Sequence, residues 1–321
     1  MSSPSTVALS GGIGGAKLAL GLYRVLPPAA LSVIVNTADD FDHLGLHICP
    51  DIDTVLYTLA GLSNPELGWG RGTETWTFLS VLEKLGGETW FRLGDGDLAL
   101  HVYRTQRLAA GASLSDVTAD AARQFGITAT IVPMSEASIQ TRVLTEEGEL
   151  AFQEYFVRRR CQPRVRALRF EGAENSEPAT AAVRALEPGA AGAIVICPSN
   201  PYLSVDPILA VSDMRRLLRA ARAPIVAVTP LIGGAAVKGP TTKIMNELGV
   251  VPSPLAVAQH YQGLIDGFVL DARDRHLESN FDVPVHVTDT LMLTLSDRER
   301  LAREVLEFAA SDRVRLRAAS R

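Results

Sequence analysis

The run Ser10-Gly11-Gly12-Ile13-Gly14-Gly15-Ala16-Lys17 follows a short apolar stretch, Val7-Ala8-Leu9. It leads into Leu18, Leu22, Val25 and Leu26, apolar residues at helical spacing. A glycine turn between strand and helix lets backbone approach a phosphate closely, and the unbonded N–H groups of the first helical turn point at it. Four acids come soon after: Asp39, Asp40, Asp51 and Asp53. Carboxylates beside a phosphate site suit magnesium, which takes one or two of them and fills its shell with phosphate oxygens. Asp51 and Asp53 share a face if their segment is extended and diverge if it is helical. Helix capping is the competing role for any single one of them, because Pro50-Asp51-Ile52-Asp53-Thr54 precedes a helical run.

The glycine turn is neither a Walker A loop nor a full dinucleotide fingerprint. Lys17 lacks the preceding glycine and the following hydroxyl residue, and the third glycine of G-x-G-x-x-G is missing. Asp39 and Asp40 do fall where a ribose-binding acid sits in such folds. Arg92-Leu93-Gly94-Asp95-Gly96-Asp97 is a second polar knot, readable as an anion clamp or as a turn with an internal ion pair. His43 and His47 are four apart, but Leu44-Gly45-Leu46 weakens a helix between them, so loop roles are expected. His101, His260, His276 and His286 are scattered and read as structural or surface residues. Ser10 and Ser199 lack the nucleophile-elbow pattern, so covalent catalysis is not indicated.

The elements that must position these groups read as α/β. Leu31 to Val35 is a second strand after the first helix, ending in Asn36-Thr37-Ala38-Asp39-Asp40. From Thr54 to about Gln124 the pattern is mainly helical and holds Trp69, Trp76 and Trp90. Ile127 to Val132 reads as a strand; Ile139 to Leu144 and Glu149 to Phe156 read as a hairpin around Glu146-Glu147-Gly148. Val165 to Phe170 reads as a strand and Ala179 to Leu186 as a helix. Then strands Ala193 to Cys197, Ile225 to Thr229, Gly267 to Leu270 and Val285 to Thr288 alternate with helices, including Met214 to Ala221 and Asp297 to Ala310. Near-continuous apolar strands between helices imply a Rossmann-like, mainly parallel sheet covered by helices on both faces, with a helical insertion and a β-hairpin. The expected division is a nucleotide-binding core, residues 1–54 and 125–321, and a helical insertion, residues 55–124, that forms part of the substrate site. Ligand is then expected at the carboxyl edge of the sheet, among the glycine turn, Thr37 to Asp40, Pro198 to Pro201, Thr229 to Gly234 and Asp271 to Asp274.

Bulk properties narrow the classes. The chain has 321 residues, 47% hydrophobic content and a formal net charge of −5, so a large core is affordable and nucleic-acid binding has little electrostatic support. Cys49, Cys161 and Cys197 show neither zinc spacing nor a disulfide framework, which fits a reducing cytoplasm. Met1-Ser2-Ser3-Pro4-Ser5 has no signal-peptide pattern, no apolar stretch is long enough for a bilayer, and Arg313 to Arg321 reads as a frayed tail.

Taken together, the glycine turn, Asn36-Thr37-Ala38-Asp39-Asp40 and Pro50-Asp51-Ile52-Asp53-Thr54-Val55-Leu56-Tyr57 resemble the 2-phospho-L-lactate transferase family of coenzyme F420 biosynthesis. Arg92-Leu93-Gly94-Asp95, Pro133-Met134-Ser135, Pro198-Ser199-Asn200-Pro201, Pro230-Leu231-Ile232-Gly233-Gly234 and Asp271-Ala272-Arg273-Asp274 continue the likeness in collinear order. The resemblance implies transfer of a phosphorylated three-carbon acid, enolpyruvyl or lactyl phosphate, from its guanosine diphosphate ester. The acceptor it implies is the ribityl hydroxyl of the deazaflavin Fo, with release of GMP and formation of (dehydro-)F420-0. It also implies a magnesium requirement, a homodimer, and Fo-binding and catalytic roles for Asp53 and Arg92. Under that reading Gly11, Gly12, Gly14, Gly15, Ser199 and Asn200 hold the nucleotide, and Asp39, Asp40 and Asp53 are the expected metal ligands. A related family of non-enzymatic, UDP-sugar-binding regulators shares the glycine turn, but resembles neither the Pro50 to Tyr57 segment nor Arg92-Leu93-Gly94-Asp95.

Overall fold

The structure, a computed structural model, describes residues 5–64 and 70–320; the readings of residues 1–4, Trp69 and Arg321 lie outside the described residues. Seven strands form the central sheet: β1 Ser5–Ser10, β2 Leu31–Val35, β3 Thr130–Pro133, β4 Ala191–Ile196, β5 Ile225–Val228, β6 Gly267–Asp271 and β7 Val285–Thr288. All neighbouring pairs are parallel, and the spatial order is β7-β6-β5-β4-β1-β2-β3. The chain therefore winds outward from β1 through β2 to β3, then returns to build the other half from β4. The order reverses between β1 and β4, which opens a crevice above their carboxyl ends.

The period of two along each strand assigns alternate side chains to two cores. Val7, Leu9, Ile194, Ile196, Ile225, Ala227, Phe268 and Leu270 pack on one face. Ala8, Ala193, Val195, Val226, Val228 and Val269 pack on the other. That second face is covered by α1 (Gly12–Val25), α2 (Pro50–Leu59), α5 (Leu114–Gln124) and the helix Leu295–Ala310. Two further helices, α3 (Thr77–Lys84) and α4 (Asp95–Ala109), complete the connection between β2 and β3.

Some expectations need correction. The boundary placed between residues 54 and 55 falls inside α2, whose Ile52, Val55 and Leu56 are buried in the same core as Leu18 and Leu22 of α1. The expected hairpin forms, Gln140–Thr145 with Gly148–Ala151, and Val165–Glu171 pairs along its other side to make a three-stranded antiparallel sheet. Its second strand stops at Ala151, because the chain turns into a π-helical coil, Glu154–Arg158, that buries Tyr155. The C-terminal tail is not frayed: Asp312–Ser320 is a helix, anchored by buried Val314 and Ala318, four residues apart on one face.

Helices α1 and Leu295–Ala310 lie so close that a Cβ on Gly21 would sit 2.1 Å from the Arg298 carbonyl oxygen. Gly21→Ala gains helix propensity of about 1 kcal/mol but forces the helices apart at a cost of about 1–3 kcal/mol. The expected outcome is a lower urea midpoint with an unchanged m-value. A midpoint at or above that of the parent chain would show that the contact is looser than described.

Candidate active site

The crevice holds a cavity of about 780 Å³. Gly11, Gly12 and Gly14 line it at the start of α1, and no side chain caps that helix. Its helix dipole, and the first-turn N–H groups other than that of Gly12, which Asp51 engages, are thus available to an anion. The glycines have further steric reasons. A Cβ on Gly14 would lie 2.3 Å from the Pro198 carbonyl oxygen, and one on Gly15 would lie 2.4 Å from Ser199 Oγ. Gly12 has φ +63°, which favours glycine. Gly15 does not line the cavity; it lies under the turn, where the loop after β4 presses on α1. Ser199 Oγ accepts the Gly11 N–H at 3.2 Å, and both Ser199 and Asn200 reach the cavity wall. Asn200 Oδ1 accepts the N–H groups of Tyr202 and Leu203, while its buried Nδ2 has no protein partner among the described residues.

Beside this turn stand two buried carboxylates that both reach the cavity, Asp39 and Asp51. Gly12 N–H donates to Asp51 Oδ1 at 2.7 Å. The Asn36 amide bridges the acids, donating to Asp51 Oδ2 at 2.9 Å and to Asp39 Oδ2 at 3.1 Å. Thr141 Oγ1 donates to Asp39 Oδ1 at 3.0 Å. Burial raises the pKa of both acids, and for Asp39 the neighbouring Asp51 charge raises it further. No ammonium or guanidinium is bonded to either among the described residues. This donor set fits magnesium: two hard carboxylates, under-neutralised, at the rim of an anion pocket.

The other two expected ligands lie elsewhere. Asp53 does not line the cavity. On helical α2 two residues are about 200° apart, so Asp51 meets the glycine turn while Asp53 meets α4. Arg104 Nη1 donates to Asp53 Oδ2 at 3.1 Å, and Arg104 Nη2 donates to Asp53 Oδ1. His101 Nδ1 lies 3.6 Å from Asp53 Oδ2, and His101 Nε2 lies 3.4 Å from Asp97 Oδ2. Tyr57 OH donates to Asp97 Oδ1 at 2.7 Å. Burial works to raise the Asp97 pKa, but His101, Tyr57 and Arg104 together bring it below the ordinary value. Asp40 is also away from the cavity, grouped with His47 and Cys49, and burial raises its pKa well above the usual range.

Arg92 does line the cavity, and its guanidinium lies 4.2 Å from the centre of the Trp76 ring. It is not paired with Asp95, whose carboxylate instead accepts the Thr77 and Phe78 N–H groups at the start of α3. Beside Arg92, Trp90 and Phe91 pack edge to face at 5.8 Å; Phe152 and Phe156, which also line the cavity, stack at 5.2 Å. Lys17 and Lys238 line the glycine-turn side. Burial lowers the Lys17 pKa, and the charges of Arg298 and Lys238 lower it further. Lys17 Nζ donates to the Met292 carbonyl at 3.0 Å, which brings the loop after β7 into the site. The Asp271 to Asp274 loop supports rather than lines: Asp271 accepts from Thr290, and Asp274 accepts the Gly233 N–H at 2.8 Å. Sequence reading missed Lys238, Phe152, Phe156, Thr290 and Met292. The sequence pattern predicts strand over Phe152 and Phe156, and nothing in the sequence marks the loop after β7 as part of the site.

The raised pKa values of Asp39 and Asp51 mean that the folded chain binds protons more tightly than the unfolded one. Their effect is to lower stability as pH rises from the ordinary carboxylate value through the raised one, with no further change above it. Asp39→Asn removes one of the two charges. In a chelator-containing buffer at neutral pH the variant is expected to melt above the parent chain, with the gap closing as the pH is lowered toward 4. An equal or lower melting temperature at neutral pH would mean that the pair is not electrostatically strained.

A sequence profile of the family described as 2-phospho-L-lactate transferase CofD matches residues 6–289. The phosphoenolpyruvate transferase of Streptomyces griseus subsp. griseus is 39% identical over 312 residues, covering 94% of this chain and 98% of that protein. The 2-phospho-L-lactate transferase of Methanopyrus kandleri is 41% identical over 304 residues, covering 94% and 96%. A crystal structure of a UPF0052 family member from Bacillus halodurans matches with a TM-score of 0.62 over 95% of this chain and 99% of that one, at 16% identity, a likeness of fold alone. The chain belongs to the 2-phospho-L-lactate transferase (CofD) family and is a transferase.

Proposed function

We propose that the chain transfers a phosphorylated three-carbon acid, enolpyruvyl or lactyl phosphate, from its guanosine diphosphate ester to the ribityl hydroxyl of Fo. GMP leaves and (dehydro-)F420-0 is formed. The observation that carries this reading is one cavity lined both by a glycine turn beside paired carboxylates and by aromatic residues with Arg92. The first lining suits a diphosphate; the second suits a flat polycyclic alcohol. Magnesium, held by Asp39 and Asp51, would neutralise the diphosphate. Gly12 to Gly14 and Lys17 would orient the phosphates, and the free Nδ2 of Asn200 offers a donor to the nucleotide. Trp90, Phe91, Phe152 and Phe156 would stack the deazaflavin and exclude water, leaving the hydroxyl aimed at phosphorus. Phosphoryl-type transfer depends mostly on positioning and charge neutralisation, so no protein nucleophile is required. A homodimer is part of the same proposal, by family likeness. Among the described residues no helix is long and apolar enough to cross a membrane.

Incubation with Fo, magnesium and each guanosine diphosphate ester, followed by mass analysis, tests the reaction and identifies the acid. Asp51→Ala is expected to lower turnover at least about 100-fold, on the scale of losing one electrostatic contact to the transition state, while circular dichroism stays native. Full turnover in that variant would remove the acid pair from the chemistry. Saturable binding of UDP-N-acetylglucosamine without any binding of Fo would favour the regulatory reading instead.

A further inference from the structure

We infer that Arg160 is a specificity-determining residue for the transferred acid: its guanidinium receives the carboxylate of the three-carbon unit carried by the guanosine diphosphate ester. This rests on the reading of the cavity as the place where that ester meets Fo, and it names the group that reads the acid.

Three observations carry it. First, of three consecutive arginines only the last is unengaged. Arg158 Nη1 donates to Glu154 Oε2 at 3.4 Å, and Arg159 Nη2 donates to Glu147 Oε2. Arg160 has no hydrogen-bond, ion-pair or ring partner among the described residues, and it lines the cavity. Second, the wall that carries Arg160 touches both linings. Phe152, Gln153, Phe156, Val157 and Arg160 line the cavity at helical spacing, along and beside the π-helical coil Glu154–Arg158. Gln153 Nε2 donates to the Asp39 carbonyl at 3.1 Å, next to the acid pair. The Arg158 guanidinium lies 5.7 Å from the centre of the Trp90 ring, in the aromatic lining. In the donor ester the acid is bonded to the diphosphate, and the phosphorus it hangs from is the atom that the Fo hydroxyl attacks. The acid therefore belongs where the diphosphate lining meets the aromatic one, and this wall joins the two. Third, the backbone keeps a side chain where glycine would be easier. Arg160 has φ +50° and Cys161 φ +55°, both left-handed. Cys161 N–H donates to the Tyr155 carbonyl and Gln162 N–H to the Arg159 carbonyl, each at 2.9 Å, which closes the turn. Such a turn is strained for any residue but glycine, and nothing in its bonding needs the arginine.

The carboxylate takes no part in bond making, yet it enters the cavity charged, and an unpaired charge out of water is unfavourable. Among the described residues four cationic side chains line the cavity: Lys17, Arg92, Arg160 and Lys238. Lys17 and Lys238 stand by the glycine turn, on the phosphate lining, and Arg92 lies over Trp76. Arg160 is the cation without a task, and its planar fork matches a carboxylate in two parallel bonds.

The test uses the full chain with Arg160→Gln and Arg160→Gly. Glycine relieves the left-handed strain, so the second variant keeps the fold testable if the first melts early. Three quantities are read with magnesium present. They are steady-state kinetics with the ester that the parent chain uses and with its uncharged carboxamide analogue, GDP affinity by calorimetry, and Fo affinity by fluorescence titration. In both variants the KM for the acid ester should rise about tenfold to a hundredfold, the scale of losing a hydrogen-bonded charge partner. Turnover should change less than about threefold, because a contact to a group that does not react is made equally in ground and transition states. GDP and Fo affinities should change less than about twofold, since neither ligand carries the acid. The parent chain's preference for the acid ester over the amide should collapse toward one. An unchanged KM with an unchanged preference overturns the proposal. A fall in GDP or Fo affinity that matches the rise in KM overturns it too, and makes Arg160 a contact to that ligand instead. A parent chain that binds GDP and Fo but transfers from neither ester is a different failure: it removes the transfer reading, and this proposal with it.

Discussion

A carboxylate buried beside a second carboxylate is held only if the protein supplies donors to both. Here the donors are the Gly12 N–H, the Asn36 amide and the Thr141 hydroxyl. Asn36 ends β2, Gly12 follows β1, and Asp51 opens α2, so one small hydrogen-bonded group joins three elements. The donors offset part of the desolvation cost without neutralising the charge. What remains is a negative site at the rim of an anion-binding helix end. That combination is unfavourable when empty, and a cation placed between the acids and an anion would relieve it.

The sheet makes this arrangement reachable. Reversal of strand order between β1 and β4 leaves their carboxyl ends uncovered, and the loops after them close to within contact of each other. Gly14 and Gly15 permit that approach by lacking side chains where Pro198 and Ser199 press in. Outside this inner ring, buried Asp271 and Asp274 bond the loops that carry Thr290 and Gly233. Acids that looked catalytic by type are therefore divided by burial and partner into those that face ligand and those that hold the loops.

Helix α2 meets two demands at once. Its buried apolar stripe, Ile52, Val55, Leu56 and Leu59, fixes it on the same core as α1. Its acids point apart, one to the glycine turn and the cavity and one to Arg104. The helices that follow bring the aromatic residues Trp76 and Trp90 and the guanidinium of Arg92 to the same cavity. A single connection, β2 to β3, thus supplies both an acid that faces the cavity and much of its aromatic wall.

Local patterns sufficed for the strands, the parallel sheet and the family. Each depends on residues near in sequence: apolar runs of strand length, glycines after a strand, a collinear set of motifs. The hinge between readings was Asp51 and Asp53. Their spacing allowed a shared face or a divergent one, and only the packing of Val55 and Leu56 against α1, which commits the segment to helix from Pro50, chose divergence. The same holds for Arg104, silent in the sequence because its partner is 51 positions away. Lys238 and Met292 entered the site for a like reason, since strand order, not chain order, decides which loops meet. Residue types and their periods determined the elements; which carboxylate faces the cavity was decided by long-range packing, because a buried charge takes whatever partner the assembled core places beside it.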